Sequence, residues 1–109
     1  MTTVHTTALQ VRQALLAREE IALLDVREED PFAQGHPLFA ANLPAGRIEL
    51  DAWARIPRRD TRIVVYDDGE GLAGPAARTL QKLGYTQVSL LAGGLQGWRD
   101  AGGELFIDV

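Results

Sequence analysis

The chain has 109 residues, a formal charge of −4, 46% hydrophobic and 24% charged residues, and no cysteine. Domains usually run to about 100–150 residues, so this length suits one domain with one hydrophobic core and leaves little room for a second. The acidic balance argues against a nucleic-acid binder, which needs a basic face to neutralise phosphates, and the missing cysteine excludes disulfides, thiolate nucleophiles, persulfides and Cys-ligated metals.

In chain order, Met1-Thr2-Thr3-Val4-His5-Thr6 lacks the basic start and apolar run of a signal peptide. No apolar stretch approaches the ~20 residues needed to span a bilayer. A cytoplasmic location without a membrane partner is therefore the expectation. Thr6 and Thr7 are N-cap candidates, and Ala8, Val11, Ala14 and Leu15 follow at helical spacing, which predicts a helix over about 7–18. Ile21-Ala22-Leu23-Leu24-Asp25-Val26 is a nearly continuous apolar run, the pattern of a strand covered on both faces. Asp30 to Gly35 reads as a helical turn, and a weak strand is predicted near 39–42. Asp51 is expected to cap a short helix through Ile56, which Pro57 stops. Arg55, Arg58, Arg59 and Arg62 cluster, but Pro57 and Asp60 interrupt them and no aromatic is interleaved; a solvated turn is the reading.

Ile63-Val64-Val65-Tyr66 is the strongest strand, made of β-branched and aromatic residues. Ala73, Ala76, Ala77, Leu80 and Leu83 mark one face of a helix with Arg78, Gln81 and Lys82 opposite. Pro75 falls in its first turn, where a missing N–H costs nothing, and Gly84 closes it. Val88 to Leu91 is a further strand. Gly93-Gly94 then turns the chain into a last helix, which carries Leu95 and Trp98 and ends at Gly102-Gly103. Strands joined by helices must run parallel, and right-handed crossovers place helices on both faces, so the predicted class is α/β in three layers. The core is expected to hold Leu23, Leu24, Val64, Val65, Val88 and Leu90, and ligands of such sheets bind beyond the strands' carboxyl ends.

Asp67 sits at such an end. The loop Asp67-Asp68-Gly69-Glu70-Gly71-Leu72 joins the strongest strand to a helix N-terminus, where backbone N–H groups and the helix dipole favour an anion. Here Asp67, Asp68 and Glu70 bring negative charge to the same place. Each can satisfy N–H groups that an anionic substrate would otherwise use, which favours helix capping over catalysis. Gly71 and Gly74 fit neither a dinucleotide fingerprint nor a P-loop, and no Lys follows.

Four segments in order resemble the rhodanese (thiosulfate sulfurtransferase) family. They are Leu23 to Glu28, Gly35-His36 followed by Asn42-Leu43-Pro44, Val64-Val65-Tyr66, and Gly93-Gly94-Leu95-Gln96-Gly97-Trp98. The resemblance runs from about 5 to 103. It implies a three-layer α/β/α domain over 1–109, with a five-stranded parallel sheet in the order 3-2-4-5-1. It also implies a reaction in which a loop cysteine takes sulfane sulfur from a donor such as thiosulfate and passes it to a thiophile. Against that pattern, Asp67 stands at the cysteine's position, Leu72 at that of a donor-binding arginine, and Phe39 at that of a glycine in the Gly-His segment. A carboxylate cannot form a persulfide, and three acids in the cradle repel thiosulfate. The family contains such cysteine-less domains as non-catalytic partners in tandem proteins. The expectation is thus a catalytically silent module in the N-terminal part of a longer sulfurtransferase, with a sister rhodanese-like domain in the same chain as partner, and no cofactor.

Asp25, Arg27 and His36 are the other pocket candidates. Asp25 with Arg27 reads more readily as an internal ion pair at a strand's end than as a substrate site. With His5 and His36 far apart and no cysteine, no dedicated metal site is expected. Trp98 reads as core; Trp53 either covers the sheet or sits at an interface. The competing class is a carboxylate-based phosphoryl- or metal-binding domain using Asp67 or Asp68, with Asp25 joining. The only lysine, Lys82, lies on the outer face of a helix, and no D-x-D pattern follows. A third class, a small-ligand or peptide binder using the vestigial pocket, has nothing in the chain to select its ligand.

Overall fold

The apolar runs become five parallel strands, and the amphipathic stretches between them become the crossovers. A computed structural model describes residues 4–107, so the signal-peptide reading of Met1 to Thr3 and the last two residues of the 1–109 domain lie outside the described residues. The strands are β1 (Val4–Thr6), β2 (Ile21–Asp25), β3 (Ala40–Asn42), β4 (Arg62–Tyr66) and β5 (Val88–Leu91). The helices are α1 (Ala8–Leu16), α2 (Glu29–Gln34), α3 (Ile48–Arg55, entered through a 3-10 turn at Ala45–Arg47), α4 (Ala73–Lys82) and α5 (Gly94–Asp100). The sheet order is β3-β2-β4-β5-β1, every pair parallel, with Asp25 level with Tyr66 and Val65 level with Leu90.

Alternation along the strands divides the core. Leu24, Ile63, Val65 and Val88 meet α3 and α4 through Ile48, Ala52, Ala77 and Leu80. Leu23, Val64, Tyr66 and Leu91 meet α1 and α5 through Val11, Leu95 and Trp98. Helices thus cover both faces, as the parallel sheet requires. Of the expected core residues only Leu90 is half-buried. Beside it Ser89 is buried, its hydroxyl 2.7 Å from that of Thr6 on β1.

Local chemistry accounts for the boundaries. Thr7 caps α1 through a reciprocal pair, Gln10 N–H to Thr7 Oγ1 at 3.1 Å and Thr7 N–H to Gln10 Oε1 at 2.8 Å. The helix stops at Leu16, short of the expected 18, because Arg18 turns to φ +57°. α3 differs more from expectation. Asp51 does not cap it; the helix begins three residues earlier, and Asp51 lies in its first turn, paired with Arg47 at 2.8 Å. α4 keeps Pro75 in its first turn and ends before Gly84 at φ +102°. After α5 the chain crosses Trp98, whose indole N–H donates to Glu104 O at 2.9 Å, and Gly103 is required because a Cβ there would collide with the indole. Phe106 then forms an antiparallel bridge with His36.

Candidate functional site

The carboxyl ends of β2 and β4 lie side by side, and the residues that follow them form the site. Tyr66 ends β4, and Asp67 turns the chain away from the sheet. The turn is held from behind by α5: Leu95 N–H donates to Asp67 O at 2.9 Å. Gly94 makes that approach possible, since at φ +60° a Cβ would stand 2.8 Å from the same oxygen.

The Asp67 side chain points into the loop it begins. Its Oδ1 accepts from Gly69 N–H at 3.0 Å, and its Oδ2 accepts from Leu72 N–H at 2.7 Å and Ala73 N–H at 2.9 Å. The N–H groups of Leu72 and Ala73 open α4, whose N-cap residue Leu72 supplies no side-chain cap of its own. Burial alone would raise the Asp67 pKa. The N–H groups of Ala73, Gly69, Leu72 and Gly71 outweigh it and hold the carboxyl below its ordinary range. The site's own carboxylate therefore occupies the anion cradle. Glu70 Oε1 accepts from Asp68 N–H, and Asp68 Oδ1 meets Arg99 Nη1 at 3.3 Å. Gly69 at φ +92° and Gly71 at φ +79° permit this tight course. Leu72 is half-buried and packs toward the α3–α4 cluster.

Behind the loop, Asp25 is fully buried and Arg27 is 4% exposed. They form a forked pair, Nε to Oδ1 at 3.0 Å and Nη2 to Oδ2 at 2.6 Å, and Arg27 Nη2 also donates to Gly35 O at 2.8 Å. Burial would lower the Arg27 pKa; the hydrogen bond and charge of Asp25 outweigh it, with a smaller contribution from Glu70, and raise it. Arg27 is thus committed to holding the end of β2 and the chain after α2 together. Asn42 completes the clasp by donating to the carbonyls of Asp25 and Arg27 at 3.1 and 2.8 Å. Among the described residues the buried Tyr66 hydroxyl has no hydrogen-bond partner, and burial, then the neighbouring Asp25, push its pKa far up. It stays a phenol.

His36 is buried on the other side of Gly35. Its ring stacks on Phe32 with centroids 4.0 Å apart, and Nδ1 lies 2.8 Å from Pro37 O. The structure therefore joins Asp67, Asp68, Glu70 and Arg99 in one cluster and Asp25 with Arg27 beneath it, while the His36 ring packs on Phe32 and its backbone pairs with Phe106. Sequence reasoning assigned no role to Arg99, Asn42 or the Tyr66 hydroxyl, although Asn42 and Tyr66 both lay within quoted motifs. Among the described residues no group of three or more His, Asp or Glu is arranged to hold a metal ion, and no helix is long and apolar enough to cross a membrane.

A profile of the rhodanese-like domain matches residues 7–101. The structure of a thiosulfate sulfurtransferase from Pseudomonas aeruginosa superposes with a TM-score of 0.95 at 69% identity, covering 97% of this chain but 20% of that one. The Alr3790 protein from Anabaena sp. superposes with a TM-score of 0.85 at 27% identity, covering 95% of this chain and 82% of that one. The protein YqhL of Bacillus subtilis is 37% identical over 76 residues, covering 70% of this chain and 59% of its own length. The chain thus spans well under two-thirds of YqhL and one-fifth of the Pseudomonas chain.

Proposed function

The chain belongs to the rhodanese-like domain family, and from that premise we propose that it is a catalytically silent member, a structural or recognition module of a longer cytoplasmic sulfurtransferase. One observation carries this reading: Asp67, at the position of the sulfur-accepting cysteine, uses both carboxylate oxygens to fill the N–H cradle of the loop. A persulfide or a thiosulfate anion needs those same N–H groups, and a carboxylate offers no sulfur to carry. Leu72 places an apolar group where a donor-binding cation is called for, and Asp68 and Glu70 add charge that repels an anionic donor. The proposed partner is a sister rhodanese-like domain that bears the cysteine in the same polypeptide. Support for it comes from the Pseudomonas sulfurtransferase, of which a stretch 69% identical to this chain makes up one-fifth.

The test is to restore the nucleophile. Asp67→Cys alone is expected to give little thiocyanate from thiosulfate and cyanide, because no cationic clamp returns with the thiol. Vigorous turnover by that single variant would show that the cradle is intact and that the module is one substitution from an enzyme. It would remove the argument from Leu72, Asp68 and Glu70.

A further inference from the structure

We infer that Asp68-Gly69 is a site of spontaneous backbone modification, where aspartate converts through a cyclic imide to isoaspartate, and that Arg99 on α5 restrains the conversion. Ring closure at an aspartate is slowed by a side chain on the residue that follows, and only glycine has none. The chain has a single Asp-Gly pair and no Asn-Gly pair; its other aspartates precede Val, Pro, Ala, Thr or Asp. The fold leaves this pair accessible. Asp68 and Gly69 both lie on the exposed turn after β4, with Gly69 at φ +92°. A Cβ built on Gly69 would meet nothing within 4 Å, so the space beside it is open to a rearranging chain.

In the reaction the Gly69 nitrogen forms a bond to Asp68 Cγ. The acid form of the side chain gives up its hydroxyl and the nitrogen its proton, and the two leave as water. Water then adds back to either carbonyl of the ring. Opening at Cγ restores aspartate; opening at the former backbone carbonyl routes the chain through Cγ and leaves isoaspartate. No oxidant or cofactor enters. Two contacts resist ring closure. Gly69 N–H donates to Asp67 Oδ1 at 3.0 Å, and the amide must break that bond before it turns toward Asp68. Arg99 Nη1 donates to Asp68 Oδ1 at 3.3 Å and ties the carboxyl to α5. The Asp67 bond belongs to the carboxylate that also caps α4, so Arg99 is the restraint that can be removed by itself. Isoaspartate lengthens the chain between Asp68 Cα and Gly69, which draws the Gly69 N–H off Asp67 and loosens the cradle.

The test is to age the folded chain at neutral pH and locate isoaspartate by peptide mapping, with enzymatic methylation of isoaspartyl carboxyls to count it. Isoaspartate is expected at 68 and at no other aspartate. The Arg99 and Asp68 side chains are 38% and 32% exposed. An ion pair so placed is weak, so Arg99→Gln should raise the rate at 68 by about two- to fivefold. Arg99→Lys keeps a cation there and should age close to the unmodified rate. Asp68→Glu, which needs a larger ring, should accumulate no modified residue at 68. Equal rates at 68 in the unmodified chain and Arg99→Gln would overturn the restraint. Isoaspartate rising equally at Asp51 and Asp100 in Arg99→Gln would mark general unfolding and overturn it too. No isoaspartate at 68 in any of these proteins would overturn the site. None of these readouts involves sulfur transfer, so their failure leaves the silent-module reading standing.

Discussion

Removing the Asp67 carboxylate tests how the loop is held. In Asp67→Ala three N–H groups lose their acceptor. That of Gly69 is exposed and water replaces the bond; those of Leu72 and Ala73 are partly buried and bond to one charged oxygen. A hydrogen bond to a charged group contributes roughly 1.5–3 kcal/mol, and partial access of water at this edge reduces that. Relief of the carboxylate's own desolvation offsets some of the rest. The expected loss is about 2 kcal/mol at neutral pH, the upper end of the range for a missing helix cap. Asp67→Asn can keep its one carbonyl oxygen toward Leu72 and Ala73, so about 1 kcal/mol is expected there. The pH dependence has a definite sign. The folded pKa is lowered, so the charged group's stabilisation is present above the unfolded value of ~3.9 and is lost as pH falls through the folded one. Wild type and Asp67→Asn should converge in that acidic window. Urea midpoints at constant m-value measure both differences. A neutral-pH cost for Asp67→Ala below about 0.5 kcal/mol, or an Asn difference unchanged on acidification, would refute the capping account.

Three other substitutions probe the surroundings. Arg27→Ala leaves the buried Asp25 carboxylate unpaired and is expected to cost about 3–5 kcal/mol, measured by urea denaturation. Tyr66→Phe deletes a buried hydroxyl that has no hydrogen-bond partner among the described residues, so thermal unfolding should show no loss and up to about 1 kcal/mol of gain. Gly97→Ala sets a Cβ against the Ala92 carbonyl where α5 leaves β5; a lowered melting temperature and loss of near-UV signal from Trp98 are expected.

Much of the frame was legible because it rests on local signals. The β-branched run 63–66 became β4, Pro75 and Gly84 bound α4 as read, and Gly93-Gly94 adopt the left-handed turn at φ +74° and +60°. β1 was not read from its own residues. It is three residues long, two of them exposed, and pairing with β5 rather than periodicity makes it a strand; only the family resemblance implied it. The start of α3 was misplaced because an acid before an apolar residue looks like a cap, whereas the 3-10 turn at 45–47 carries the chain into the helix and leaves Asp51 to pair with Arg47. In the site, the Asp67 cap was foreseeable from acids beside a helix start. Arg99 was not, since it reaches Asp68 across 31 residues from α5, and no spacing rule links them.

We propose that the Asp67 carboxylate occupies the place of an anionic substrate in this rhodanese-like loop. The direct measurement is thiocyanate formation by the unmodified chain, supplied with thiosulfate and cyanide and compared with a protein-free control. No production above that control is the expected result. Sustained turnover in proportion to protein concentration, and abolished by Asp67→Ala, would contradict the claim and make Asp67 a participant in chemistry.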